Sequence, residues 1–260
     1  MNKKRLLTVM GGSSAKWTPE ELSNVALWLD ASDLTGNDGD AVTTWTSKEG
    51  NAYAFTQATP DNKPLLKKGA NGIGNKNTVL FDGTDDYLKY AAGDISNATQ
   101  GFVAAVFYIT TNRNNQTIIS SYDEATTNYA IIFRAQRTGL YPGFVQVNND
   151  TIDDYDTDDP ITITTPYLII FISSGDAYSV RLNGVNAAIT MATGTNGGDW
   201  FGDTENRDNF LVGARENSGG VGLFMKGSIS EIIISDVAPT AKDITNLESY
   251  LNTKYGAVFF

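Results

Sequence analysis

The 260-residue chain contains no cysteine and no histidine. Without cysteine there are no disulfides, no thiolate nucleophile and no cysteine-based zinc site. Without histidine the commonest general base and the commonest metal ligand are both missing. Any chemistry must rest on carboxylates, lysine, tyrosine, serine or threonine. Positive charge is also in short supply: 19 Lys and Arg stand against 30 Asp and Glu, a net charge of -11. That balance favours solubility and disfavours binding to nucleic acid or to an anionic membrane. No run approaches the roughly 20 apolar residues of a membrane span, so no membrane insertion is expected. The opening Met1-Asn-Lys-Lys-Arg-Leu-Leu-Thr-Val-Met10 starts like a secretory leader. Its apolar part, Leu6 to Met10, is shorter than the about 7–15 residues of a signal core. It reads as an exposed arm or attachment strand.

What is present is turn chemistry and short β-prone runs. Asn, Thr, Gly and Asp are plentiful, and they favour turns over helix interiors. Thr18-Pro-Glu-Glu-Leu22 predicts a short helix start, with Thr18 as cap and Pro19 at the first position. Ala26-Leu-Trp-Leu29 predicts a buried strand, and Trp17 a staple beside the cap. Thr78–Phe81 and Tyr87–Tyr90 flank Asp82-Gly-Thr-Asp-Asp86, which predicts a hairpin. Phe102–Ile109 and Tyr167–Ile172 predict central strands. Ala177–Leu182 and Val185–Thr190 flank Asn183-Gly184, a second hairpin signal. Strands at this spacing indicate an all-β, two-sheet antiparallel β-sandwich or jelly roll. Residues 240–255 differ: Ile244, Leu247 and Leu251 form one apolar stripe, with Thr240 and Asp243 as a capping box and Gly256 at the C′ position. They predict one amphipathic C-terminal helix on the outside of the sandwich. The expected core includes Trp28, Phe81, Phe107, Ile170, Leu182 and Ile233. Two units are expected, an N-terminal arm over 1–16 and the sandwich over 17–260.

Three segments carry a family resemblance. Leu27-Trp-Leu-Asp-Ala-Ser-Asp33, followed by Asn37-Asp-Gly-Asp40 and Val42-Thr-Thr-Trp45, is similar to the opening of LamG-like jelly-roll domains of the concanavalin A-like lectin/glucanase superfamily. Val79-Leu-Phe-Asp-Gly-Thr-Asp-Asp-Tyr-Leu88 resembles their Phe-Asp-Gly hairpin. Gly227–Ile234 and the helix ending at Gly256 resemble their closing strand and terminal helix. The resemblance implies the fold but no single function, because such folds host lectins, hydrolases, adhesion modules and virion proteins. The basic leader followed by Gly-Gly-Ser also resembles small structural proteins of tailed bacteriophages.

Hydrolase relatives resemble Glu-x-Asp-x-Glu on one strand, where alternation puts three carboxylates on one face. This sequence has no such triplet, and no catalytic residue is assigned. The acidic run Asp150–Asp159 contains Asp but no Glu and reads as a solvated loop. Calcium candidates are Asp30, Asp33, Asp38 and Asp40; Asp82, Asp85 and Asp86; and the run from Asp153. Turn formation accounts for Asp82 to Asp86, and neither a metal nor a cofactor is assigned. Gly69–Gly74 and Gly219–Gly222 lack the context of phosphate loops. Trp28 and Trp45 lie in strands and belong to the core. Trp200 lies in a polar, Gly-rich stretch with Asp203 and Arg207 nearby. Two readings stand: an exposed aromatic that contacts sugar or protein, or a loop tucked onto the sandwich. Trp200, Asp203 and Arg207, with Tyr122 and Tyr141, are the ligand-binding candidates.

The functional expectation is a non-enzymatic bacteriophage virion protein, for decoration, fibre or tail attachment, on the particle surface. Its expected partners are other virion proteins, met through the arm or through subunit contacts in a homo-oligomer, and glycans. The alternative is a stand-alone, extracellular carbohydrate-binding lectin domain; a glycoside hydrolase ranks below both.

Overall fold

A computed structural model describes residues 16–49 and 53–260. Of the expected arm over residues 1–16, residues 1–15 lie outside the described residues. Along the chain run β1 (Val25–Asp30), β2 (Thr44–Thr46), β3 (Ala54–Thr56), β4 (Leu65–Lys67), β5 (Thr78–Asp82) and β6 (Leu88–Tyr90). Then come β7 (Gly101–Ile109), β8 (Gln116–Tyr122), β9 (Tyr129–Thr138), β10 (Tyr141–Asn148), β11 (Thr151–Thr157), β12 (Tyr167–Ser173) and β13 (Tyr178–Leu182). The last strands are β14 (Val185–Ala187), β15 (Ile189–Thr193), β16 (Asn209–Val212), β17 (Arg215–Asn217), β18 (Gly220–Gly222) and β19 (Lys226–Ser235), followed by helix α1 (Ala241–Lys254).

Two antiparallel sheets face each other. One has eight strands in the order β14-β13-β12-β7-β19-β5-β4, with β1 also paired to β19. The other has nine, in the order β15-β11-β10-β9-β8-β16-β6-β3-β2. The expected all-β sandwich is the observed one. The nearly continuous apolar runs of β7, β12 and β19 follow from burial on both faces. Val103, Phe107, Phe171 and Ile232 face the sandwich interior. Phe102, Val106, Ile170 and Ile233 face outward, beneath Leu247, Leu251 and Tyr255 of α1. The capping box is formed: Thr240 Oγ1 accepts from the Asp243 N–H at 3.2 Å, and Asp243 Oδ2 accepts from the Thr240 N–H at 3.0 Å. Gly256 closes the helix at φ 77°. Of the six expected core residues, five are buried, while Leu182 at the end of β13 is only partly covered.

Charge is also buried beneath α1. Glu231 of β19 pairs with Asp30 of β1. Glu231 accepts from Trp28 Nε1 at 2.7 Å, Tyr255 OH at 2.8 Å and Lys254 Nζ at 2.7 Å. The same Lys254 Nζ lies 2.7 Å from Asp30, which Lys48 approaches to 2.8 Å. Burial pushes the Glu231 carboxyl up, against the pull of Lys254. At Asp30 burial acts the same way, but Lys254 and Lys48 outweigh it and hold the carboxyl below its usual range.

Four local expectations need correction. The helix start at Thr18 is a single 3-10 turn, Pro19–Glu21, with no side-chain cap. The Asp82–Asp86 turn joins no hairpin, because β5 lies in the eight-stranded sheet and β6 in the nine-stranded one. Turn chemistry fixes the reversal, but not which sheet receives the returning strand. Likewise Val185–Thr190 splits into β14 and β15, one in each sheet. The Asn183-Gly184 hairpin does form, with φ 47° and 77° as a two-residue turn of this kind requires. Finally, the acidic run is not a loop but strand β11. Its Asp153, Tyr155 and Thr157 face inward and are buried. Asp154 and Asp156 face outward, each bonded to Arg137 of β9, at 2.6 and 2.8 Å. Alternation and cross-strand cations override the turn preference of aspartate.

In the sheet-crossing turn, burial pushes the Asp86 carboxyl up to about 6, aided by the charges of Asp82 and Asp85. Its folded pKa thus exceeds the unfolded value, so the native state binds the extra proton. Its contribution to stability therefore improves as pH falls from above 6 to below about 4. Asp86→Asn should raise the melting temperature at pH 7 and flatten the pH dependence across that window. An unchanged profile in thermal melts at pH 4.5, 6 and 7.5 would refute this.

Candidate functional site

Trp200, Asp203 and Arg207 do come together, but as a corner of the core. Trp200 is 0% exposed. Its ring stacks on Phe144 at 5.7 Å and meets Phe133 edge-on at 5.2 Å. Of the two readings of this stretch, the structure shows the tucked loop: the ring lies between the sheets and offers no surface to a ligand. Asp203 accepts from the Trp200 N–H at 2.8 Å and caps the 3-10 turn Phe201–Asp203. Arg207 donates to the carbonyls of Gly93, Ser96, Phe201 and Thr204 and lies 5.2 Å over the Phe201 ring. Burial pulls its guanidinium down to about 10. Its donors are committed to holding loops together.

Tyr122 and Tyr141 are not neighbours. Tyr122 pairs with Ala130 at one end of β9, and Tyr141 pairs with Thr138 at the other. Eight residues of strand separate those partners, about 26 Å. Tyr122 belongs to a built surface; Tyr141 stands at its far margin.

That surface is the outer face of the nine-stranded sheet. Alternation places Tyr122 of β8, Ala130 and Ile132 of β9, and Val145 of β10 there as an apolar floor. Arg134 takes the next outward position of β9 and is only 8% exposed. The β17–β18 ribbon folds over β8 and brings Arg215 across the Tyr122 ring, 5.5 Å from its centroid. Burial pushes the Tyr122 hydroxyl up, against the nearby charges of Arg215 and Arg134. Burial lowers the Arg134 guanidinium, with Asp154 as the main opposing charge.

Most ions on this face are already paired. Arg137 holds Asp154 and Asp156, and Lys89 bridges Glu124 and Glu216. Arg134 reaches Asp154 only at 4.0 Å, and Arg215 has no ion pair among the described residues. Arg134 Nε, Arg215 Nε and Arg215 Nη1 are buried and have no hydrogen-bond partner. Unpaired buried donors on a cation are costly. Two of them beside an aromatic ring suit an oxygen-rich ligand, and best one with a carboxylate. The sequence carried one signal for this: a lone charge, Arg134, in the outward register of Tyr129–Arg134. Arg215, on a separate ribbon, gave none.

The calcium candidates do not form one centre. Among the described residues, Asp82, Asp85 and Asp86 bring carboxylate oxygens within 4.8 Å of one another. Asp82 Oδ1 and Asp86 Oδ2 accept from the turn's own N–H groups, at 2.7–3.3 Å. Asp30 serves Lys48 and Lys254, while Asp38 and Asp40 bond neighbouring loop groups.

No family model matches the sequence, and no curated protein matches it. Solved structures do share its fold. Domain 4 of AbnA, a GH43 extracellular arabinanase from Geobacillus stearothermophilus, in complex with arabinotriose, aligns at TM-score 0.57 and 17% identity, over 86% of this chain and 98% of that one. The CBM40 of Ruminococcus gnavus IT-sialidase, bound to α2,3-sialyllactose, aligns at TM-score 0.53 and 13% identity, over 85% and 98%. The leech intramolecular trans-sialidase aligns at 0.53 and 12% identity over 86% of this chain, but only 28% of its own. At these identities the likeness establishes the architecture: a β-sandwich of the kind seen in carbohydrate-binding modules.

Proposed function

We propose that this chain is a carbohydrate-binding domain that binds without cleaving, and that its ligand lies on the outer face of the nine-stranded sheet. The observation that carries this is the pair of arginines with unused donors, Arg134 and Arg215, flanking Tyr122. Guanidinium groups donate to sugar hydroxyls, ring oxygens and carboxylates, and an aromatic ring supports the C–H face of a pyranose. The neighbours that bind sialyllactose and arabinotriose on the same architecture support the ligand class. Binding without cleavage is supported by the state of the carboxylates. Asp154 and Asp156, carboxylates on the ligand face, are each tied to Arg137, so neither stands ready there as a free acid or nucleophile. The virion placement expected from the leader draws on residues 1–16, of which 1–15 lie outside the described residues.

On a glycan array a carboxylate-bearing glycan such as sialyllactose should bind more tightly than its neutral counterpart. Arg215→Ala should weaken that binding at least about tenfold, the effect of one charge-assisted bond. Arg134→Gln should do the same, with the far-UV spectrum unchanged. Equal binding by both variants, or no glycan bound at all, would remove this reading.

A further inference from the structure

A second concavity opens where the two sheets end side by side. It has a volume of about 340 Å³ and lies between β2 and β4, the terminal strands of the two sheets. Val42, Trp45 and Leu66 form its buried apolar floor. Asp33, Thr35 and Asp40 stand exposed on its rim. Its size falls within the range of small-ligand sites.

Trp45 distinguishes this cleft from a mere gap between edges. Its side chain is 0% exposed, yet its indole N–H has no hydrogen-bond partner. A buried N–H without an acceptor is disfavoured, and native proteins rarely leave one. An acceptor oxygen entering the cleft would relieve it. The rim sets the character of the visitor: Asp33 is paired with Lys48 at 3.3 Å and Asp40 Oδ2 accepts from Asn37, and their remaining carboxylate oxygens disfavour an anion and accept from hydroxyls. The floor offers apolar surface to C–H groups.

We propose that this cleft is a second ligand site, which takes one neutral, polyhydroxylated ligand, a single sugar residue, with a ligand oxygen accepting from Trp45 Nε1. It shares the ligand class of the reading above but none of its residues, so either can fail alone. The two sites differ in sign, since arginines favour acidic sugars and this rim favours neutral ones. Their occupants are therefore different residues of a glycan or different glycans.

The test is the amide and indole spectrum of the ¹⁵N-labelled protein during titration with arabinotriose, cellotriose and lactose at millimolar concentration. The Trp45 indole resonance should shift with at least one of them. The Trp200 indole N–H, equally buried and unpartnered but not part of the cleft lining, is the internal control and should stay put. The Trp45 shift should persist in the Arg134→Gln/Arg215→Ala double variant, which separates the cleft from the arginine face. Trp45→Phe keeps the apolar floor and removes the donor, and should weaken binding about tenfold. If that variant folds poorly, Thr35→Tyr, at an exposed rim position, should block the cleft instead. A Trp45 resonance unmoved by all three sugars would overturn the proposal, as would a shift that vanishes in the double variant.

Discussion

Lys254→Met is expected to destabilise the domain by about 3–5 kcal/mol at pH 7, the usual cost of breaking a buried ion pair from one side. Its Nζ is the shared partner of Asp30 and Glu231, at 2.7 Å from each, and the two carboxylates have side-chain exposures of 3% and 1%. Remove the ammonium and two buried negative charges face each other across paired strands. Lys48 still neutralises Asp30, but Glu231 keeps only the Trp28 and Tyr255 donors. Glu231 is already pushed up by burial, so in the variant it will take a proton. The folded pKa of Glu231 then lies still further above its unfolded one. The variant therefore loses stability as pH rises above about 4.5 and regains part of it on acidification. Urea denaturation at pH 5 and pH 7 should show the gap to the parent protein narrowing at the lower pH. Pairing Lys254→Met with Glu231→Leu should restore much of the loss, since an apolar replacement of the whole pair leaves little uncompensated charge. A loss below about 1 kcal/mol at both pH values, typical of exposed pairs, would show that the network is effectively solvated.

Trp200→Ala is expected to cost a further about 3–5 kcal/mol by a different route, the cavity left by a large aromatic. The ring touches Phe133, Phe144 and Phe201 and exposes nothing to solvent. For a domain of this size each kcal/mol corresponds to roughly 2–4 °C in melting temperature, so the melt should fall by about 10 °C. Trp200→Phe should cost less, because part of the volume stays filled. Glycan affinity of the folded fraction should not change in either variant. Loss of binding without loss of stability would return Trp200 to the surface role that its polar surroundings suggested.

That reversal shows where sequence reasoning succeeds and where it stops. The C-terminal helix was legible down to its capping box, because helix signals at Thr240, Asp243 and Gly256 are local. The strands were legible from β-branched and aromatic runs, and their number implied a sandwich. Sheet membership was not legible. Asp82-Gly83 and Asn183-Gly184 both reverse the chain, yet one crosses between sheets and the other closes a hairpin. The choice between the two readings of Trp200 was not legible for the same reason: its partners Phe133 and Phe144 lie on β9 and β10, more than fifty residues upstream. The charged pairs of β11 depend on β9 in the same way. The arginine face needed two strands and a ribbon to converge, and only Arg134 left a trace in the periodicity.

The position of β19 bears on how the molecule is made. This strand lies inside the eight-stranded sheet, where β7 flanks one side and β5 and β1 share the other. It is also the last strand among the described residues, and it joins Trp28 to Ile233 across 205 residues. A nascent chain has no partner to place between β1 and β7 until that segment has emerged from the ribosome. Folding of the sheet must then wait until residue 235 has emerged, with loop closures of high contact order still to be made. Until then the apolar faces of β7 and β12 are uncovered, and this interval exposes the chain to aggregation and to capture by chaperones. A ribosome-bound chain stalled before residue 226 should accordingly stay protease-sensitive, whereas one extended well past residue 255 should resist digestion.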